Sequence, residues 1–510
     1  MRYKKKHLVE NSLKNIVKTS IIVFIGILIS KLFAYVYRII IARNFGPEVY
    51  GRFSLALIIL GWFGVFASLG FHEGVLRYIS IFRSRDDKDR LKYLYHISLS
   101  FIFFLSLLSG IILFIFSEYI SVNIFHDTNL VIFLRIFSIG VPFFALSNIL
   151  LAVIQGFEKI KEYTFIFDIT PSIIKIFMLL LFIYLGFNSN SIIISYILGL
   201  LLIYLLSYYY CKKYLIKHSS YDLDKQSKSK IKKDLFSYSW PLVFLGLLDA
   251  IFFYIDSLTI GYFKGTLEVG LYTSAVSIAM LLGFFPTIFM RLFLPIVTKE
   301  YAKKNLSLVK ELSKQVEKWV FIINLPVFAL MFLFPGAFIN LLFGSEYISA
   351  EIPLRILSIS FFIYSLSVIF YNLLSMAGKS KTILFNTVIT AVINLTLNII
   401  IVPIYGMSGA AFTTLFSQII LFFLLFFQVK KYTSIIPLRK KMIGIALCSI
   451  FPALFIFYLR RFIEINLFSL IMLASFFMLI YLLLIFISRS LDNNDLMIIS
   501  SIKNKFLHQI

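Results

Sequence analysis

Only two cysteines, Cys211 and Cys448, occur in 510 residues. So few build neither a disulfide framework nor a zinc site. Acidic residues are scarce, 25 against 49 lysines and arginines, and charges of both signs make up only 15% of the chain. That is too little polar surface for a water-soluble chain of this length. Soluble enzymes, nucleic-acid binders and disordered proteins are excluded on composition. Long hydrophilic loops are also missing; the longest polar stretch is KHSSYDLDKQSKSKIKKD at 217–234. The basic first twenty residues run into an apolar stretch of spanning length with no A-x-A site. That pattern fits a cytoplasmic flank rather than a cleaved leader.

What fills the chain instead is hydrocarbon. Apolar residues make up 60%, with 58 phenylalanines, and the mean hydropathy is +0.92. A membrane-crossing helix needs about 20 apolar residues. Fourteen such runs are expected, from 20–42 and 51–80 to 442–459 and 466–488. The charge excess follows the loops between them. With both ends in the cytoplasm, 37 of the 49 lysines and arginines fall inside, and only Arg43, Lys264, Arg460 and Arg461 fall outside. This is the positive-inside pattern and requires an even number of spans.

The two halves repeat. GPEVYGRFSLA (46–56) aligns with GTLEVGLYTSA (265–275) at an offset of 219, and LRIFSI (134–139) with LRILSI (354–359) at 220. Lys159 and Lys161 match Lys379 and Lys381, and Gly186 matches Gly406. Six spans per copy give both copies the same orientation, which predicts parallel repeats about an axis along the membrane normal. The expected fold is an all-α polytopic protein: a six-helix lobe over 1–216, a cytoplasmic linker over 217–236, a second six-helix lobe over 237–430, and two additional helices with a tail over 431–510. The lobes are expected to enclose a central cavity. The glycines of the repeated motif suit a tight turn and close helix entry. GKS at 378–380 is no phosphate loop, because position 373 is Leu. No nucleotide-binding domain is visible, and no cofactor or metal is expected.

Charges inside the spans are few, and each needs a partner or a wet cavity. Lys31, eleven residues into the first span, lies about 16 Å deep at 1.5 Å per residue. Tyr35 and Arg38 share its face. Lys175 is comparably deep in the fifth span. Asp249 and Asp256 form a matching acidic stripe on the seventh. One reading joins the stripes as a salt bridge closing one conformation. The other gives Lys31, Tyr35, Arg38 and Lys175 to an anionic ligand and the acids to a gate or coupling cation. Glu73 and Arg77, four apart near the inner face, read as a structural ion pair, with a coupling or gate role as the alternative. Arg52, Arg135 and Arg355 lie near outer ends and read as snorkelling side chains. His126 and Asp127 have no evident partner, and loop solvation accounts for them.

FGPEVYGRFSLA, ASLGFHEGVLRYIS, NILLAVIQGFEKIK and IDSLTIGYFKGTLEVGLYTSA together resemble the polysaccharide transporter (oligosaccharide flippase) family, within the multidrug/oligosaccharidyl-lipid/polysaccharide exporter superfamily. The likeness covers roughly residues 10–430. It implies two six-helix lobes and alternating access. It also implies a cargo, a polyprenyl-diphosphate-linked oligosaccharide moved from the cytoplasmic to the outer leaflet of the cell membrane for surface glycan synthesis. Membrane lipids are implied partners, with polysaccharide polymerase or glycosyltransferases as further candidates, and a monomer is expected. The alternatives are a cation-coupled multidrug antiporter or a peptidoglycan lipid-precursor flippase on the same fold. A membrane enzyme is disfavoured because the outer loops are short.

Overall fold

The computed structural model describes residues 2–215, 222–459, 467–488 and 490. Every regular element among them is helical. By Cα proximity the chain divides into two units, Met1–Gly270 and Leu271–Ile510.

The first unit contains α1 (Arg2–Ser68), α2 (Phe71–Ser84), α3 (Lys88–Glu118), α4 (Leu130–Gly156), α5 (Ile160–Thr164), α6 (Thr170–Tyr184), α7 (Asn190–Leu215) and α8 (Lys225–Lys264). It ends in the first turn of α9 (Thr266–Ala279). α4 is the central post, packed on by α1, α2, α3 and α7. Its buried face runs from Leu134 through Phe137, Val141, Ala145 and Ile149 to Ala152. Asp224 opens α8 by accepting from the Ser227 amide at 3.2 Å. Hydrogen bonding by Ser227, first from its hydroxyl and then from its amide, holds the Asp224 carboxyl below its usual range.

The second unit continues with α10 (Leu281–Ala302), α11 (Leu306–Leu333), α12 (Pro335–Leu342), α13 (Glu351–Met376), α14 (Ser380–Thr433), α15 (Lys441–Leu459) and α16 (Leu467–Ile487). One core joins α10, α11 and α13 through Phe293, Val297, Val316, Val320, Ile369 and Phe370. A second core fastens α15 and α16 onto α11 through Phe321, Leu325, Ile445, Leu473 and Phe477. Inside α14, Asn386 and Gln428 exchange hydrogen bonds of 2.5 and 2.8 Å. Each amide satisfies the other, as buried polar groups in a membrane helix pair require.

Eleven helical stretches among the described residues are long and apolar enough to cross a membrane, so this is a multi-pass membrane protein. Two of them are bent pairs. α1 turns at Gly46 (φ 76°) and α14 at Gly406 (φ 54°), so each supplies two of the expected spans. With α8 as the seventh, the fourteen expected spans are accounted for. One expected span ends early. The run over 51–80 breaks after Ser68, where Leu69 (φ 42°) and Gly70 (φ 65°) turn left-handed before α2. An apolar run carries no mark of such a turn unless the glycine is taken as one.

The duplication is written in the backbone. Positive φ recurs at Gly46 (76°) and Gly265 (84°), and at Gly186 (80°) and Gly406 (54°). It recurs also at Asp86 (52°) and Lys304 (61°), and at Glu158 (59°) and Gly378 (71°), where the residue types no longer match. After the Asp86 and Lys304 turns, Asp87 and Asn305 cap the next helix, accepting from Arg90 N and Leu308 N.

Candidate functional site

The α1 stripe is pinned at the depth of Tyr37. This buried phenol donates to the Ile192 carbonyl at 3.2 Å and lies 3.1 Å from Ser195 Oγ, both on α7. Its neighbour Arg38 is half-buried. The Arg38 guanidinium acts electrostatically on the phenols of Tyr35 and Tyr196. Lys175 reaches Tyr196 from α6, its Nζ 4.0 Å from the centroid of the ring. Gly199 makes room for it on α7; a Cβ there would lie 2.5 Å from Lys175 Cε. The Tyr196 ring under Lys175 packs on Phe53 and Phe137 at centroid distances of 5.9 and 5.5 Å. Tyr254 of α8 also acts on Tyr196. Asp256 is half-buried, nine residues before Gly265 as Arg38 is eight before Gly46, each about 12–14 Å from its kink along the helix.

Of the expected ligand residues, Tyr35 and Arg38 lie within one turn of each other on α1, and Lys175 lies over Tyr196. Lys31 lies about two turns away and is exposed. Asp249 falls in the helical backbone of α8, with its side chain outside the described residues. The Glu73–Arg77 ion pair does not form. Arg77 lies over the Tyr238 ring of α8 at 4.4 Å, and both Glu73 and Arg77 are exposed. Among the described residues no three His, Cys, Asp or Glu side chains cluster as a metal site would need.

A second constellation lies at the kinks. The backbone of 47–51 crosses that of 266–270 so closely that neither glycine admits a side chain. A Cβ on Gly51 would lie 1.8 Å from the Thr266 carbonyl oxygen, and one on Gly270 would lie 1.8 Å from that of Pro47. The contact is reciprocal, since Gly51 and Gly270 are repeat mates, as are Pro47 and Thr266. Each glycine turns an Hα toward a carbonyl oxygen, a weak interaction that needs this proximity.

Beside the crossing sits Asp127. Its Oδ2 accepts from Arg52 Nε at 2.6 Å and from Thr266 Oγ1 at 2.7 Å, and its Oδ1 accepts from the Asn129 amide at 2.9 Å. Arg52 also pairs with Glu48. The Asp127 side chain is only 9% exposed. Solvation of a loop acid is therefore the wrong account of Asp127, and snorkelling the wrong account of Arg52. Arg135 and Arg355 pair with Glu118 and Glu351 at 3.0 and 2.8 Å on half-exposed surfaces.

A duplicated helical bundle that buries cations within its spans has the build of a multi-pass membrane transporter. The chain belongs to the polysaccharide biosynthesis protein family, whose model matches residues 16–299. The MatE model matches residues 241–400. Among curated relatives, a putative O-antigen transporter of Shigella flexneri is 26% identical, over 78% of this chain and 93% of the relative. The capsular polysaccharide biosynthesis protein CapF of Staphylococcus aureus is 25% identical, over 78% and 95%. Among solved structures, the lipid II flippase MurJ in an inward closed conformation superposes with a TM-score of 0.72 at 18% identity. That match covers 91% of this chain and 98% of the other.

Proposed function

We propose that this chain is a flippase. It moves a polyprenyl-diphosphate-linked oligosaccharide from the cytoplasmic to the outer leaflet by alternating access, without catalysing a covalent step. The observation that carries the reading is Lys175, seated over the Tyr196 ring within the membrane-spanning part of the first unit, together with the half-buried Arg38 on α1. A charge at the bilayer centre costs at least about 2.5–3.5 kcal/mol on insertion scales, so cations kept within the spans mark a place for a visiting anion. A low-dielectric surround strengthens their field on that anion. The diphosphate takes the two charges, the first sugars meet the aromatic faces, and the lipid chain stays in hydrocarbon. Lys31 then serves as an earlier contact on the same helix, and Asp256 with Asp249 as the gate or coupling pair.

Both termini lie in the cytoplasm and the Gly46 and Gly265 kinks outside, a reading that the basic loops support. The cell membrane is the site of action. One chain is the working unit, with polymerase or glycosyltransferases as its partners in glycan assembly.

The test is flipping of fluorescent lipid-linked oligosaccharide in liposomes. Arg38→Ala and Lys175→Ala each remove a charge-assisted contact of about 1.5–3 kcal/mol. Each is therefore expected to slow flipping about tenfold or more, with membrane insertion unchanged. Lys31→Ala is expected to slow it less. Normal rates in both Arg38→Ala and Lys175→Ala would remove the site. Deleting the protein and identifying the lipid-linked glycan that accumulates names the cargo.

The match of residues 241–400 to the MatE model favours one other reading, export of a cationic drug. Drug efflux unaffected by Lys175→Ala and abolished by Asp256→Asn would support that reading instead.

A further inference from the structure

We propose that Asp127 is a positioning residue: its carboxylate holds the two repeat-related elbows, 46–52 and 265–270, in their reciprocal contact. The side chain belongs to neither elbow. It stands at the end of the connection between α3 and α4, where the chain makes a π-helical turn (Tyr119–Ile124) and His126 turns left-handed at φ 54°. That connection is itself tied down. The Asp127 amide donates to the Ser121 carbonyl at 2.9 Å, and Leu130 N donates to the Asp127 carbonyl at 3.2 Å. Asp127 thereby reaches both elbows at once from a fixed base, Arg52 on one and Thr266 on the other.

Gly51 and Gly270 meet backbone to backbone, with no side chain to interlock. Helices that approach this closely gain only dispersion and weak Cα–H contacts, and they separate easily unless something polar bridges them. A carboxylate that accepts from a guanidinium and a hydroxyl while nearly excluded from water is such a bridge, because charge-assisted bonds strengthen as water is removed. Arg52 and Thr266 sit six and one residues beyond Gly46 and Gly265, so a pull on either side chain acts directly on its kink. The inference rests on the transport reading in one respect only: alternating access requires this contact to open in each cycle, and Asp127 sets how readily it does.

The experiment reads the elbow distance without any cargo. Spin labels go on Asn44→Cys and Phe263→Cys, repeat mates that are exposed just before each kink, in the full chain in lipid nanodiscs with Cys211 and Cys448 replaced. The parent is expected to give one dominant short distance. Asp127→Ala is expected to add a longer one and to raise the open-to-closed ratio at least tenfold. Asp127→Glu, which keeps the charge, is expected to return most of the population to the short distance. Thr266→Val, which removes one hydroxyl, is expected to shift the ratio two- to fivefold. Arg135→Gln breaks an exposed ion pair elsewhere in the same unit and is expected to leave the distribution unchanged.

An Asp127→Ala distribution identical to the parent overturns the proposal, as does an equal shift in Arg135→Gln. If Asp127→Ala does not fold, Thr266→Val carries the test, and an unshifted distribution there overturns it. A wrong cargo assignment leaves every one of these distances untouched.

Discussion

The first unit brings α8 and the start of α9 against α1 and α2 in two glycine-lined contacts, and they are built on different plans. At the elbows, glycine faces carbonyl in both directions, and the two sides are related by the repeat. Near the start of α2, the contact is one-sided. A Cβ on Gly74 would meet the Ser239 hydroxyl at 2.2 Å and Leu235 Cδ1 at 3.0 Å, and one on Gly70 would meet the Ser239 carbonyl at 2.5 Å. Phe71, Phe101 and Phe236 complete it, with centroids 4.7 to 5.3 Å apart, and Arg77 caps Tyr238. The 219-residue mates of Gly70 and Gly74 are Phe289 and Phe293, so this second contact has no counterpart in the other copy. A joint made of two backbones has nothing that can yield. A joint made partly of side chains can repack.

Substitutions sharpen that contrast. Gly51→Ala and Gly270→Ala should cost most, about 3 kcal/mol or more, because a methyl placed on a carbonyl oxygen must push two helices apart. The check is a fall in thermal midpoint in detergent together with a longer elbow distance. Gly70→Ala should cost about 1–3 kcal/mol, since it adds a left-handed backbone penalty to one clash. Gly74→Ala should cost less than about 1.5 kcal/mol, because the Ser239 hydroxyl can rotate away, and Gly74→Ala/Ser239→Ala should recover most of the loss. Arg77→Ala should be smallest, about 0.5–1 kcal/mol for an exposed cation over a ring. If Gly74→Ala proved as damaging as Gly51→Ala, the two joints would be equally rigid and the contrast would fail.

How much was legible follows from what each signal depends on. The spans and the repeat were readable because hydropathy and paired glycines are local properties. Gly46 and Gly265 were placed at tight turns by their motif, and both turn left-handed. The break at Leu69 escaped because the apolar run continues through it. Arg38 and Lys175 stood out as charges in hydrocarbon. Tyr196, the ring Lys175 lies over, is one of 29 tyrosines and carries no mark. Asp127 was misread because its partners lie 75 and 139 residues away. The i,i+4 spacing of Glu73 and Arg77 misled for the opposite reason: a local pairing lost to a ring on another helix. Glu317, beside Lys314 and Lys318, drew no reading from sequence. It is 0% exposed, and neither of its oxygens has a hydrogen-bond partner.

The left-handed turns that recur through both copies carry a torsional consequence. Lys304 and Glu158 hold a backbone shape that costs an ordinary residue about 1–2 kcal/mol and a glycine almost nothing. Each copy therefore stores a small spring at a bend whose outline has outlived its residues. At one of these bends the second copy, with Gly378 opposite Glu158, is already relaxed.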